Sequence, residues 1–243
     1  MATATAAPLD EFRMIWDRTP PMSRDRQHRL GTAQIARAAF ALAEDESLQA
    51  ISVKRVAARL GVPGNRMEQY LQSRDELLDI MLEAALAEIE IPELDLRGLA
   101  VATHQAVQAH PWLVELIGSR TPSGPAGLRF VETALRLLVD EGLSLPDAAQ
   151  LLDTLLAFVA GSVRVQRRSR TAPSPAQLNV RARYLMDTVS DEQYPYLTEL
   201  FSAAHSVSPA ESFARGLDLV LGGIAARVPT GDRGAPPEAG SFP

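Results

Sequence analysis

Residues 52–71 read SVKRVAARLGVPGNRMEQYL, and the fold follows from how that stretch divides. Ser52 supplies a hydroxyl at a helix N-cap position, and Val56, Ala57 and Leu60 recur on one face of a helix of about two turns. Gly61 ends that helix, because glycine accepts positive φ at a helix C-terminus, and Pro63 can open the next one, where its missing N–H is not needed. In the second helix Met67 and Leu71 stand at i and i+4, facing the first. Asn65, Arg66, Glu68 and Gln69 are left pointing outward. Two short helices joined at a sharp angle through a glycine, the second with polar residues outward, form a helix-turn-helix able to enter a major groove.

The surrounding chain limits what this motif belongs to. With 243 residues, 46% of them hydrophobic, it holds one large or two small domains with a buried core. The absence of cysteine excludes disulfides and thiolate metal sites. The first residues, MATATAAPLDEF, have neither a basic nor an apolar leader region, and no apolar run approaches the roughly 20 residues of a membrane span. The expectation is a soluble, cytoplasmic protein with no membrane partner. The net charge of −6 is unevenly spread: residues 1–74 carry 11 basic and 8 acidic groups, while residues 75–243 carry 13 and 22. A mildly basic head on an acidic body fits a small DNA-contacting domain attached to one that DNA repels.

Outward from the motif, residues 1–28 read as a flexible N-terminal arm that ends in the basic cluster Arg24, Arg26 and Arg29. From Thr32, AQIARAAFALAED forms a helix that packs on the helix-turn-helix, giving a three-helix unit over 29–74 closed by Ile51. Arg74–Glu90 is amphipathic, with Ser73 as its cap and Glu76 as the capping-box partner, and Pro92 stops it. Further helices are expected at about 96–109, 112–117, 127–140, 146–168, 176–189, 195–205 and 209–228, followed by a Gly- and Pro-rich tail over 229–243. The fold class is all-α.

The order of helix, helix-turn-helix and then RDELL opening a long helix resembles the tetracycline-repressor (TetR) family of bacterial transcriptional regulators. AHPWL, LRLLVDEGLS, EQYPYLTEL and FARGLDLVLGGI resemble the ligand-binding domain of its tetracycline-repressor branch. The resemblance implies that 29–74 binds double-stranded operator DNA. It implies also that 75–228 binds a small, mainly apolar effector and forms a homodimer through the helices near 146–168 and 209–228. Ser52, Lys54 and Arg74 stand where the family places a hydroxyl and basic groups near DNA. Gly64, Asn65, Arg66, Glu68 and Gln69 occupy the recognition helix, where Arg66 would either read guanine or hold phosphate. Two positions depart from the family: Ser47 replaces a glycine, at a cost of about 1 kcal/mol if left-handed, and Glu68 replaces an aromatic that meets the DNA backbone.

Other chemistry is set aside. His104 and His110 with Glu88, Glu90, Glu93 and Asp95 lack the i,i+3 or i,i+4 spacing of a His–carboxylate metal site. No Gly-rich phosphate loop, nucleophile elbow or Asp-rich Mg²⁺ motif points to an enzyme, and no cofactor is implied. Trp112, Phe130, Phe158, Tyr184, Tyr194 and Tyr196 fit a core. Some would also fit an effector cavity, with His104, Gln108 or Arg129 as polar anchors. The competing function is a ligand-binding or interaction protein of this family that has lost specific DNA binding.

Overall fold

The computed structural model describes residues 15–17, 30–90, 95–170, 175–189, 193–202 and 208–226. Arg24, Arg26, Arg29, Glu93 and the tail from Pro229 lie outside the described residues. These contain the α-helices α1 (Thr32–Asp45), α2 (Val53–Leu60), α3 (Gly64–Met67), α4 (Arg74–Ala87), α5 (Leu96–Ala109), α6 (Pro125–Asp140), α7 (Leu145–Arg170), α8 (Pro175–Thr188), α9 (Pro195–Ser202) and α10 (Pro209–Ala225). Short 3₁₀ turns at Ile15–Asp17, Leu48–Ala50 and Pro111–Glu115 complete the described elements, none of which is a strand.

The helix ends are set by chemistry visible in the sequence. Ser52 Oγ accepts the Arg55 N–H at the start of α2. At its end Gly61 takes φ 65°, so that Val62 N–H reaches the Ala57 carbonyl and Gly61 N–H that of Ala58, closing the helix in a Schellman arrangement. Ser73 Oγ accepts the Glu76 N–H. The Glu76 carboxylate, expected to return to the cap residue, bonds the Gln72 N–H instead. Ser47 sits at φ 179°, which is extended backbone, so the penalty considered for a side chain there does not arise. The recognition helix is shorter than its periodicity implies. After Met67 the chain tightens into successive turns, with Tyr70 N–H bonded to the Met67 carbonyl at 2.9 Å.

Apolar stripes then decide the packing. Ile35, Ala39 and Leu42 of α1 are buried with Val56, Met67 and Leu71 of the helix-turn-helix and Ile51 between them. Helix α1 lies on α2 and α4, α4 on α6, α5 on α7, α6 on α7, and α10 on α7 and α5. Their buried residues form one continuous core running from Ile35 to Ile224. By length and mean hydropathy Leu145–Arg167 of α7 is sufficient to cross a bilayer. Its residues Leu152, Leu155, Val159 and Val163 are instead buried in this core. Part of the segment expected to be a loose arm also joins it: Ile15 is buried and Trp16 Nε1 donates to Ser123 Oγ at 3.1 Å.

Tyr184, Tyr194 and Tyr196 do not belong to this core, being 66%, 43% and 84% exposed. On α10, Phe213, Leu217 and Ile224 are taken up by the protomer's own core, whereas Leu219 is 79% exposed. The apolar surface that the sequence attributes to dimerisation is therefore narrower than its composition suggests.

Candidate nucleic-acid interface and effector cavity

On the helix-turn-helix, Lys54, Gly64, Asn65, Glu68 and Gln69 are exposed, while Ser52 and Arg66 are half-buried. A Cβ at Gly64 would meet nothing within 4 Å, so the front of α3 is open to a close approach. The platform under it is fixed by ion pairs to α1: Arg59 to Asp45 at 2.8 Å, and Arg55 to Glu46, with Arg55 also bonding the Ala50 carbonyl. The contacts with Arg55 hold the Glu46 carboxyl below its ordinary pKa. Such exposed pairs add little stability individually, but two of them in register fix the angle between α1 and α2.

Arg74 is placed differently from expectation. Its Nε donates to the Ile51 carbonyl at 3.0 Å and a terminal nitrogen to the Leu48 carbonyl at 2.9 Å. The side chain thereby holds the segment before α2 onto the start of α4. Its substitution should act on stability. Arg74→Ala is expected to cost about 1–3 kcal/mol in chemical denaturation and to leave the salt dependence of DNA binding unchanged. Lys54→Ala should do the reverse, lowering that slope by about one for each protomer bound. Tyr70 was not singled out from the sequence. It is half-buried against the core two residues beyond the position where the resemblance places an aromatic.

The body contains a cavity of about 410 Å³ between α4, α6, α7 and the loop before α6. Leu82, Leu86, Phe130, Leu135, Leu152 and Leu156 supply its apolar wall; Ser119, Arg120, Thr121 and Asp153 supply the polar groups. That mixture of an apolar wall and a few polar groups suits a small organic ligand. Of the six residues expected at an effector site, Phe130 alone lines it. Arg129, one residue along α6, is exposed.

The other four lie elsewhere. His104 is buried and stacks on Phe213 with ring centres 3.7 Å apart, and Phe158 stacks on Phe213 at 5.6 Å. Gln108 donates to Gln166 Oε1 at 3.0 Å, and Gln166 in turn donates to the Pro209 carbonyl. These residues join α5, α7 and α10. Burial pushes the His104 pKa down from the ordinary 6.5. A group easier to protonate in the unfolded chain makes stability fall as pH drops below that value. Denaturation midpoints should therefore decline below about pH 6.5, and His104→Phe should flatten that decline.

Trp112 packs against Phe40 of α1, ring centres 4.6 Å apart, at the junction of the helix-turn-helix and the body. His110 lies beside it, its Nδ1 at 3.1 Å from Glu44 of α1 and its Nε2 at 3.0 Å from Glu88 at the end of α4. The two histidines are thus committed to separate packing arrangements.

Helix α4 ties cavity to motif at two points that no short-range sequence signal marks. Arg120, on the cavity wall, donates to Asp79 at 2.9 Å, to the Asp75 carboxylate at 3.1 Å and to the Asp75 carbonyl at 3.0 Å. Burial opposes its charge, but the bonds to Asp79 and Asp75 outweigh that and raise its pKa. Glu83 accepts from the Ala126 and Gly127 N–H groups, the latter at 2.8 Å, so a carboxylate from α4 caps the N-terminus of α6. Gly124 makes room for it: a Cβ there would lie 2.5 Å from the Glu83 carboxyl carbon.

The family model described as "Tetracyclin repressor-like, C-terminal domain" matches residues 93–228. The chain is 26% identical over 228 residues to the HTH-type transcriptional repressor DrrR1 of Streptomyces coeruleorubidus, covering 88% of this chain and 84% of that protein. It is also 26% identical to the tetracycline repressor protein class C of Escherichia coli, covering 81% and 91% of the two chains. Among solved structures, the TetR family protein ActR of Streptomyces coelicolor in complex with actinorhodin superposes with a TM-score of 0.70 at 25% identity, over 82% of this chain and 99% of ActR. With a family model that spans more than half of its residues, the protein belongs to the tetracycline-repressor family.

Proposed function

We propose that the protein is a transcriptional repressor which binds operator DNA as a homodimer and is released by a small, mainly apolar effector. The observation that carries this reading is the double attachment of α4, which follows the recognition segment directly and also forms a wall of the 410 Å³ cavity through Leu82 and Leu86. The repressor names of DrrR1 and the class C tetracycline repressor support it, as does the ligand bound to ActR. In this reading residues 29–74 are the DNA-binding domain and 75–228 the effector and dimerisation domain, working in the cytoplasm without enzymatic activity.

Lys54, Asn65, Arg66 and Gln69 are assigned to the DNA face, with Ser52 beneath it. Arg120, Ser119, Thr121 and Asp153 are assigned as the polar contacts of the effector. A two-fold dimer would hold its recognition segments about 34–36 Å apart, matching successive major grooves. The effector shifts the dimer away from that spacing only by its differential affinity for the two arrangements.

Selection from a random DNA pool tests the assignment. A palindromic site should be enriched, with affinity falling steeply as salt rises; absence of any enriched site would favour the ligand-binding reading without specific DNA recognition. Glu68 makes a sharper expectation. It is exposed at the end of α3, where a carboxylate near phosphates costs about 1 kcal/mol. With one Glu68 at each half-site, Glu68→Tyr should therefore raise the affinity of the dimer about 30-fold for every variant of the selected site. Weaker binding to all of them, with preferences unchanged, would contradict the repulsion.

A further inference from the structure

A second cleft, of about 1020 Å³ and sharing no residue with the effector cavity, lies where the helix-turn-helix meets the body. It is bounded by the end of α1 with the 3₁₀ turn after it, by the Pro111–Glu115 turn, and by the last turns of α7. We propose that this cleft is a separate small-molecule site for an amphipathic organic anion, a flat apolar body carrying one carboxylate or sulfonate.

The apolar part follows from its lining, in which Leu48, Trp112 and Val114 are 5% exposed and Pro111 is half-buried. Their exposed edges, with Pro111, give that part of the cleft an apolar floor. The charge follows from how the polar lining is already engaged. Glu44 lies against His110, Glu46 is paired with Arg55, and Glu115 accepts from Gln49 at 2.8 Å. The three acids on the wall thus each have a partner within the protein. Facing them, Arg164 and Arg167 come from the end of α7, and Arg164 is exposed with no ion-pair partner among the described residues. A guanidinium offers several donors in one plane, the geometry that a carboxylate or sulfonate accepts. On the α7 side of the cleft, Arg164 is therefore the lining charge that an incoming anion meets.

A second feature coincides with this wall. The Trp112 indole N–H is the only buried side-chain polar atom without a hydrogen-bond partner among the described residues. Buried donors are ordinarily paired, and this one belongs to a residue of the cleft wall. Because its two sides belong to α1 and α7, an occupied cleft would resist movement of the helix-turn-helix against the body.

The protein carries two tryptophans, so Trp16→Phe leaves Trp112 as the sole indole. In that full-length variant, titration with 2-naphthoate is followed by the single indole N–H resonance and by Trp112 emission. Saturation below about 1 mM is expected, with 2-naphthamide, the neutral analogue, binding at least about tenfold more weakly. Arg164→Gln combined with Arg167→Gln should weaken naphthoate to the level of the amide. Leu135→Phe, which fills the other cavity, should leave the titration unchanged. No saturable shift, equal binding of acid and amide, insensitivity to the arginine substitutions, or loss of the signal on filling the other cavity would each overturn the site.

Discussion

Leu219→Arg is expected to produce a folded monomer at micromolar concentration and to lower affinity for the selected palindrome by about 10²–10⁴-fold. Leu219 is 79% exposed on α10, one of the two helices through which the family resemblance implies dimerisation. Gly222 and Gly223 follow it, and a Cβ at either would meet nothing within 4 Å, so that side of α10 is open to the close approach of another helix. The size of the effect comes from linkage between half-sites. In a dimer the second recognition segment binds at the effective concentration set by the first, and a monomer loses that advantage without losing any contact of its own. Leu217 is the control. It is 1% exposed against the protomer's own core, so Leu217→Ala should cost about 2–5 kcal/mol of stability. Sedimentation and denaturation together separate the two, and a Leu219→Arg protein that remains dimeric would show that α10 is not the interface.

Arg120→Ala should leave a repressor that binds its operator but no longer responds to effector. Couplings between sites in regulatory proteins commonly amount to 5–150-fold, about 1–3 kcal/mol, and here we expect the response to fall to within about threefold of unity. Arg120 lines the cavity and holds Asp75 and Asp79 on the first turns of α4. Arg74, next to Asp75, holds the carbonyls of Leu48 and Ile51 in front of α2. A displacement of the cavity wall thus has a hydrogen-bonded route to the base of the helix-turn-helix. Asp79→Ala with Asp75→Ala removes both side-chain acceptors of Arg120 without altering a residue that lines the effector cavity, so it should reproduce the loss of response with effector affinity retained. A full response in that double variant would place the coupling elsewhere, with Glu83 and the start of α6 as the alternative link.

Much of the architecture was legible because it is set locally. Ser52, Gly61 and Ser73 place helix ends through bonds that span three to five residues, and the apolar periods of α1, α4 and α7 show which faces are buried. What periodicity does not show is the neighbour a buried face meets. On α7, Leu156 and Phe158 are two residues and about 200° apart around the helix; the first lines the cavity and the second meets Phe213 of α10. His104 and Gln108 look like ligand anchors in one dimension, yet α10 comes back across the chain to cover His104, and Gln108 pairs with Gln166 of α7. Long polar side chains were the hardest to read. Arg74 and Arg120 are cations in any sequence analysis, and only the fold shows that the first bonds carbonyls 23 and 26 residues away and the second bonds α4. Ser47 illustrates the opposite error, an inferred glycine requirement that an extended backbone removes.

In the proposed mechanism effector and operator oppose one another through α4, which thermodynamic reciprocity puts to a quantitative test. An effector is first identified as a compound that raises the Tm of the wild type but not of Leu135→Phe. Its affinity is then measured by calorimetry with and without the selected palindrome, and the palindrome's affinity with and without the effector. Each ligand is expected to weaken the other by the same factor, within about the 5–150-fold range. Independent binding, with both affinities unchanged by the other ligand, would contradict it.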